Sequence, residues 1–153
     1  MGEVPVLRRR SGRREVSSLV AVTPDGRLYA RHFIGSVDGV AVIAALRHVR
    51  RRIGTPLLVV WDGLSAHRSR EVRAFLAAHA ADFVVAPLPA YAPEINPEEQ
   101  CNAVVKRAMV NALANSVEEL RAMARRQFRR LQYRPELIRH CFVHAGLDLN
   151  SAA

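Results

Sequence analysis

Four side chains in the middle of the chain are placed to do acid-based chemistry: Asp62, His67, Glu98 and Glu99. Asp62 ends the apolar run Leu57-Leu58-Val59-Val60-Trp61, and His67 follows five residues on. Such a run reads as a strand buried on both faces, and an acid at its carboxyl end stands where open α/β sheets hold ligand-binding and catalytic groups. An Asp before Gly63 is equally a turn cap, and position alone leaves the two readings level. Glu98 and Glu99 fall in the first turn of a helix, where acids complement its positive end. The combination is more informative than its parts: a strand ending in Asp, a nearby His, then a Pro-rich loop delivering Asn96-Pro97-Glu98-Glu99.

Other constellations are weaker. His140 and His144 are one helical turn apart, but no Glu follows His140 and no third metal ligand is evident, so they read as surface histidines. Cys101 and Cys141 show no Cys-x-x-Cys spacing and read as buried free thiols. His67 is an accessory candidate beside Asp62, or a turn histidine bonded to backbone.

The elements that must position these residues follow from local pattern. Glu15 to Val22 and Arg27 to Ile34 are strand-like and joined by Thr23-Pro24-Asp25-Gly26, which predicts a β-hairpin. Val37 to Arg52 is an amphipathic helix stopped by Gly54 and Pro56. Leu57–Trp61, a helix from about Ser69 to His79 and a strand Phe83 to Ala86 form a βαβ unit, hence a parallel strand pair. Residues 87–97 hold four of the eight prolines and predict an extended, stiffened loop. Asn96 then N-caps a helix with Pro97 in its first turn, Ser116 to Glu119 is a capping box for a helix to about Leu131, and Pro135 to His144 is a last helix before Gly146.

At 153 residues this is one domain of ordinary size, with 1–147 continuous and 148–153 a tail. Mean hydropathy is -0.02 and charges break every apolar run, so neither a membrane span nor an N-terminal signal peptide is expected, which places the chain in the cytoplasm. The formal net charge of +9 favours a polyanionic partner such as DNA. All but one of the 23 basic residues, Lys106, are arginine, a bias that a GC-rich coding sequence also produces. The basic arm with Arg8, Arg9, Arg10, Arg13 and Arg14, and the helix carrying Arg121, Arg125 and Arg129, are the candidate DNA-binding groups.

Trp61-Asp62-Gly63-Leu64-Ser65-Ala66-His67 together with Tyr91-Ala92-Pro93-Glu94-Ile95-Asn96-Pro97-Glu98-Glu99 resembles the DDE catalytic domain of Tc/mariner-superfamily transposases, in its bacterial insertion-sequence branch. The resemblance implies an α/β, RNase H-like domain with a mixed sheet, flanking helices and a helical C-terminal part. It also implies metal-dependent cleavage and transfer of DNA strands. The family's second catalytic acid falls on Asp62 and its third on Glu99, with Glu98 at a variable position. In-line attack on a phosphodiester is served by two Mg²⁺ or Mn²⁺ ions, which take carboxylate oxygens as ligands. Asp62 and Glu99 are therefore expected to converge as metal ligands at one end of the sheet.

The sequence also departs from the family. Its first catalytic Asp lies on a first strand upstream of a segment resembling Val4-Pro5-Val6-Leu7-Arg8, and Gly63 and Asn102 stand where the family usually has Asn and Trp. The expectation is a chain truncated at its N-terminus, without the usual first strand and its Asp, with two sheet edges unpaired unless Val4 to Arg8 or an upstream transposase fragment fills the gap. A chain with two of three acids is expected to be silent by itself, acting with that fragment or as a homo-oligomer. The alternative is a catalytically inactive nucleic-acid-binding remnant on the same scaffold.

Overall fold

The computed structural model describes residues 15–147, which divide into two compact units, 15–36 with 93–147 and 37–92. Arg8, Arg9, Arg10, Arg13 and Arg14, the Val4 to Arg8 segment and the tail from 148 lie outside the described residues.

The first unit opens with β1 (Val16–Val22) and β2 (Leu28–Ile34), antiparallel in the register Val16 opposite Ile34 and Val22 opposite Leu28. The turn closes through the Gly26 amide donating to the Thr23 carbonyl at 3.0 Å. Gly26 has φ +93°, and a β-carbon there would stand 2.7 Å from the Pro135 carbonyl oxygen. A side chain would thus meet a backbone atom as well as left-handed strain. Gly26→Ala should cost about 1–3 kcal/mol, read as a lowered urea midpoint with an unchanged slope.

Three helices complete this unit. α1 (Pro97–Met109) is capped by Asn96, whose Oδ1 accepts from the Glu98 amide at 3.1 Å. In α2 (Val117–Gln132) the Ser116 hydroxyl accepts from the Glu119 amide at 3.0 Å, while the Glu119 carboxylate reaches past Ser116 to the Asn115 amide at 2.7 Å. α3 (Pro135–His144) carries Ile138, fully buried. Leu28, Cys101, Val105, Phe128, Leu131, Ile138 and Cys141 form the core, drawn from β2 and all three helices. Burial pushes the Cys101 thiol far above its usual range, with Cys141 beside it contributing, so these are inert packing groups.

The second unit is a β-α-β unit preceded by a helix. α4 (Gly39–Ile53) is capped by Asp38, whose carboxylate accepts from the Ala41 amide at 2.8 Å, and ends at Gly54 with φ +83°. Its buried line is Gly39, Val42 and Leu46, while Val40 is exposed, because three- and four-residue steps select one face and Val40 sits about 100° round from Gly39. Arg50 pairs with Asp82 at 2.8 Å, and Arg47 stands 5.1 Å over the Phe75 ring. Both contacts link α4 to later residues of the same unit.

β3 (Leu57–Trp61) and β4 (Phe83–Pro87) run parallel, connected by a 3-10 turn at Ser65–Arg68 and α5 (Arg70–Ala78). The expectation that β3 is buried on both faces is corrected. Leu58, Val60 and Val84 are 68%, 53% and 62% exposed, whereas Leu57, Val59 and Trp61 are partly covered. An unbroken apolar run records only that both faces suit burial, and among the described residues one face of this strand pair is left open. The described strands form two two-stranded sheets, β1 with β2 and β3 with β4, so among the described residues each pair keeps free edges. The proline loop is more ordered than an extended segment: it turns at Ala90 and Tyr91 and makes a 3-10 turn at Pro93–Ile95. No described helix is long and apolar enough to cross a membrane.

Candidate active site

Asp62 follows the last residue of β3, where the backbone leaves the strand, and its carboxylate is 51% exposed. One oxygen, Oδ1, accepts from the Leu64 amide at 3.1 Å and lies 3.3 Å from His67 Nδ1. The same Nδ1 lies 3.2 Å from the Asp62 carbonyl oxygen, a contact that suits a protonated Nδ1 as donor. The His67 ring stacks on Trp61, centroids 4.2 Å apart and planes within 8°, and its side chain is only 12% exposed. The turn reading of Asp62 is visible in Oδ1, which closes the Asp-Gly turn, while the side chain as a whole stays half exposed. His67 thus contacts Asp62 at both its carboxylate and its carbonyl oxygen, next to Asp62 as the sequence spacing suggested, while its stacking on Trp61 was not legible there.

Glu99 lies in the first turn of α1, its amide donating to the Asn96 carbonyl at 3.1 Å, which fixes where the helix starts. Its neighbour Glu98 is bonded through its carboxylate to the Asn102 side-chain amide one turn on. Of the two adjacent acids, the one tied to Asn102 is the one at the variable position. Asp62 belongs to the second unit and Glu99 to the first. Among the described residues no group of three or more His, Cys, Asp or Glu side chains is gathered to hold a metal ion. His140 and His144 lie on the exposed side of α3 with ring centroids 6.5 Å apart.

Arg125 and Arg129 are exposed on α2 and line a concavity with Arg31 of β2. Tyr91 is the one described non-glycine residue with positive φ, at 58°, and it is fully exposed in the proline loop. Tyr91 belongs to the quoted motif, yet its left-handed backbone could not be read from the sequence.

Parallel strands with an acid after a carboxyl end, a hairpin and packed helices make a mixed α/β fold. Residues 1–121 match the family described as DDE superfamily endonuclease, and the chain belongs to that family. In fold it is similar to Mos1 transposase, a Tc/mariner-type enzyme, in three solved structures. These are the paired-end complex with the left transposon end (20% identity, 91% of this chain and 46% of that chain, TM-score 0.55), the strand transfer complex (19%, 91% and 46%, 0.52) and the mariner paired-end complex with Mn (20%, 91% and 47%, 0.52). The chain spans about half the length of those transposase chains. No curated protein matches it in sequence.

Proposed function

We propose that the chain carries a transposase catalytic domain that cuts and joins DNA strands, with Asp62 and Glu99 among its metal-binding carboxylates. The observation that carries this reading is the half-exposed Asp62 side chain directly after the carboxyl end of a parallel strand, with its Oδ1 held by the Leu64 amide and close to His67. The family match runs through both units, which supports reading them as one domain. The donors fit the group the family implies, since exposed carboxylate oxygens are the ligands that Mg²⁺ and Mn²⁺ take. When bound, such ions would activate the attacking hydroxyl or water and stabilise the leaving oxygen. Asp62 and Glu99 would hold them, a third carboxylate would complete the set, and His67 would keep Asp62 from rotating away.

A second reading, a scaffold that binds DNA without cutting it, draws on the turn role of Asp62 Oδ1. Conversion of supercoiled plasmid to the nicked form with Mn²⁺ or Mg²⁺, against chelator, separates the two. Its arms are the chain by itself and the chain with an upstream fragment bearing the family's first-strand Asp. Metal-dependent nicking in either arm supports the first reading, and binding without nicking in both supports the second.

The net charge of +9 gives a further expectation, that duplex DNA binding falls steeply with salt. With six phosphate contacts the affinity would drop by about a thousandfold between low and moderately high salt. Fluorescence anisotropy across a salt series reads this, and a flat response would assign the arginines to composition alone.

A further inference from the structure

The arginines of α2 face a partner that a solvated helix surface would not need. Arg125 and Arg129 are one turn apart on α2, and Arg31 approaches from β2, so guanidinium groups of two separate elements line one concavity of about 520 Å³. Its lining includes no acid. None of these three arginines is ion-paired with a described carboxylate, unlike Arg27, Arg50 and Arg134 elsewhere in the chain. Like charges gathered around one hollow repel each other, and an anion relieves that repulsion while using the planar donor forks of arginine.

The wall also carries rings. Phe33 has the Arg31 guanidinium 6.0 Å from its centroid, and Tyr133, at the end of α2, is 74% exposed. His32 sits against Phe128 with centroids 5.3 Å apart and bonds Ser18 through Nδ1 at 2.8 Å. Burial, then the charges of Arg125 and Arg121, hold its imidazole below the usual range, and its ring lines the hollow. Bare phosphate would use the guanidinium groups and leave the aromatic faces idle. A nucleotide within an unpaired strand uses both, with phosphates on arginine and a base on a ring, and a volume of this size lies in the range of small-ligand sites.

We propose that the concavity between β2 and α2 binds an unpaired stretch of DNA, with Arg31, Arg125 and Arg129 on its phosphates and Tyr133 stacking a base. The identity of the polymer rests on the function proposed above, whereas the hollow, its charge and its rings stand independently of it.

The test is anisotropy of a short labelled single strand and of its duplex, in chelator so that no cleavage intervenes. Tyr133→Leu should weaken the single strand about tenfold and leave the duplex unchanged, and Tyr133→Phe should restore the single strand. Arg125→Gln combined with Arg129→Gln should flatten the single-strand salt slope by about 1.4, two phosphate contacts' worth. Tyr133 is exposed enough that its variants keep the fold, and circular dichroism checks this. An unchanged single-strand affinity in Tyr133→Leu, an equal loss on the duplex, or displacement of the strand by inorganic phosphate equally well from wild type and Tyr133→Leu would overturn the proposal. Failure of the wild-type chain to bind any DNA would instead strike at the function above, so the two failures are told apart.

Discussion

Asp62→Asn should abolish metal-dependent nicking while leaving the chain as stable as the wild type. The amide retains an oxygen in the place of Oδ1, so the Leu64 amide keeps its acceptor and the turn after β3 survives. What is lost is the negative charge of the half-exposed carboxylate, and with it the proposed affinity for a divalent cation. Metal-ion stabilisation of phosphoryl transfer is worth several kcal/mol, so the rate should fall on the order of a thousandfold. Asp62→Ala should lose the same activity and also destabilise the chain by about 1 kcal/mol, because the buttressed turn bond goes too. The adjacent acids of α1 supply an internal control. Glu99→Gln should match Asp62→Asn, whereas Glu98→Gln should retain activity, since the Glu98 side chain is engaged with Asn102. The assay is plasmid nicking in Mn²⁺ in whichever preparation nicks, the chain by itself or with the upstream fragment, paired with a thermal melt of each variant. Full nicking by Asp62→Asn would reduce Asp62 to a turn cap and remove the site assignment. Full nicking by Glu99→Gln with loss in Glu98→Gln would move the third acid by one residue.

Ile138→Ala should produce the largest loss of stability of any single truncation in α3. The side chain is fully buried, in a cluster fed by β2, α1 and α2, so its removal leaves a void that several elements would have to close. Large-to-small changes of this kind cost about 2–5 kcal/mol, a substantial share of the roughly 5–15 kcal/mol by which domains are stable. The melting temperature should fall by roughly 4–20 °C. Val143 on the same helix is 50% exposed, and Val143→Ala should stay within about 0.5–1 kcal/mol of wild type. Urea titration followed by circular dichroism checks both. Equal effects at the two positions would mean that the core described for this unit does not carry its stability.

The elements were legible because their signals are local. Asn96 and Pro97 start α1, Ser116 and Glu119 start α2, and Gly54 ends α4, each through bonds or backbone angles confined to a few neighbouring residues. The strand-ending acid and the Asn-Pro-x-Glu string were legible for the same reason. Their types and order lie in the chain itself, and the family match agrees with what they implied. Burial was not local. Leu57–Trp61 is apolar throughout, but whether a strand is covered on one face or two depends on what packs against it, and Val40 is as apolar as Val42 yet lies exposed on α4, whose buried line is Gly39, Val42 and Leu46.

By itself, then, the sequence determined the order of strands and helices, the helix caps and the free thiols, all set by residue type and short-range spacing. Tertiary structure alone decided which partner each of those groups meets. It gave Asp62 Oδ1 to Leu64 and His67, stacked His67 on Trp61, tied Glu98 to Asn102, and set Arg31 of β2 in one hollow with Arg125 and Arg129 of α2. The contrast between Arg50 and Arg125 shows the physical reason. Both are arginines on amphipathic helices, and nothing in their own segments separates them. Arg50 meets Asp82, 32 residues away in the chain, and Arg125 shares its hollow with Arg31, Arg129 and aromatic rings, because an ion pair is made by groups that folding brings within about 4 Å and the sequence carries no record of that distance.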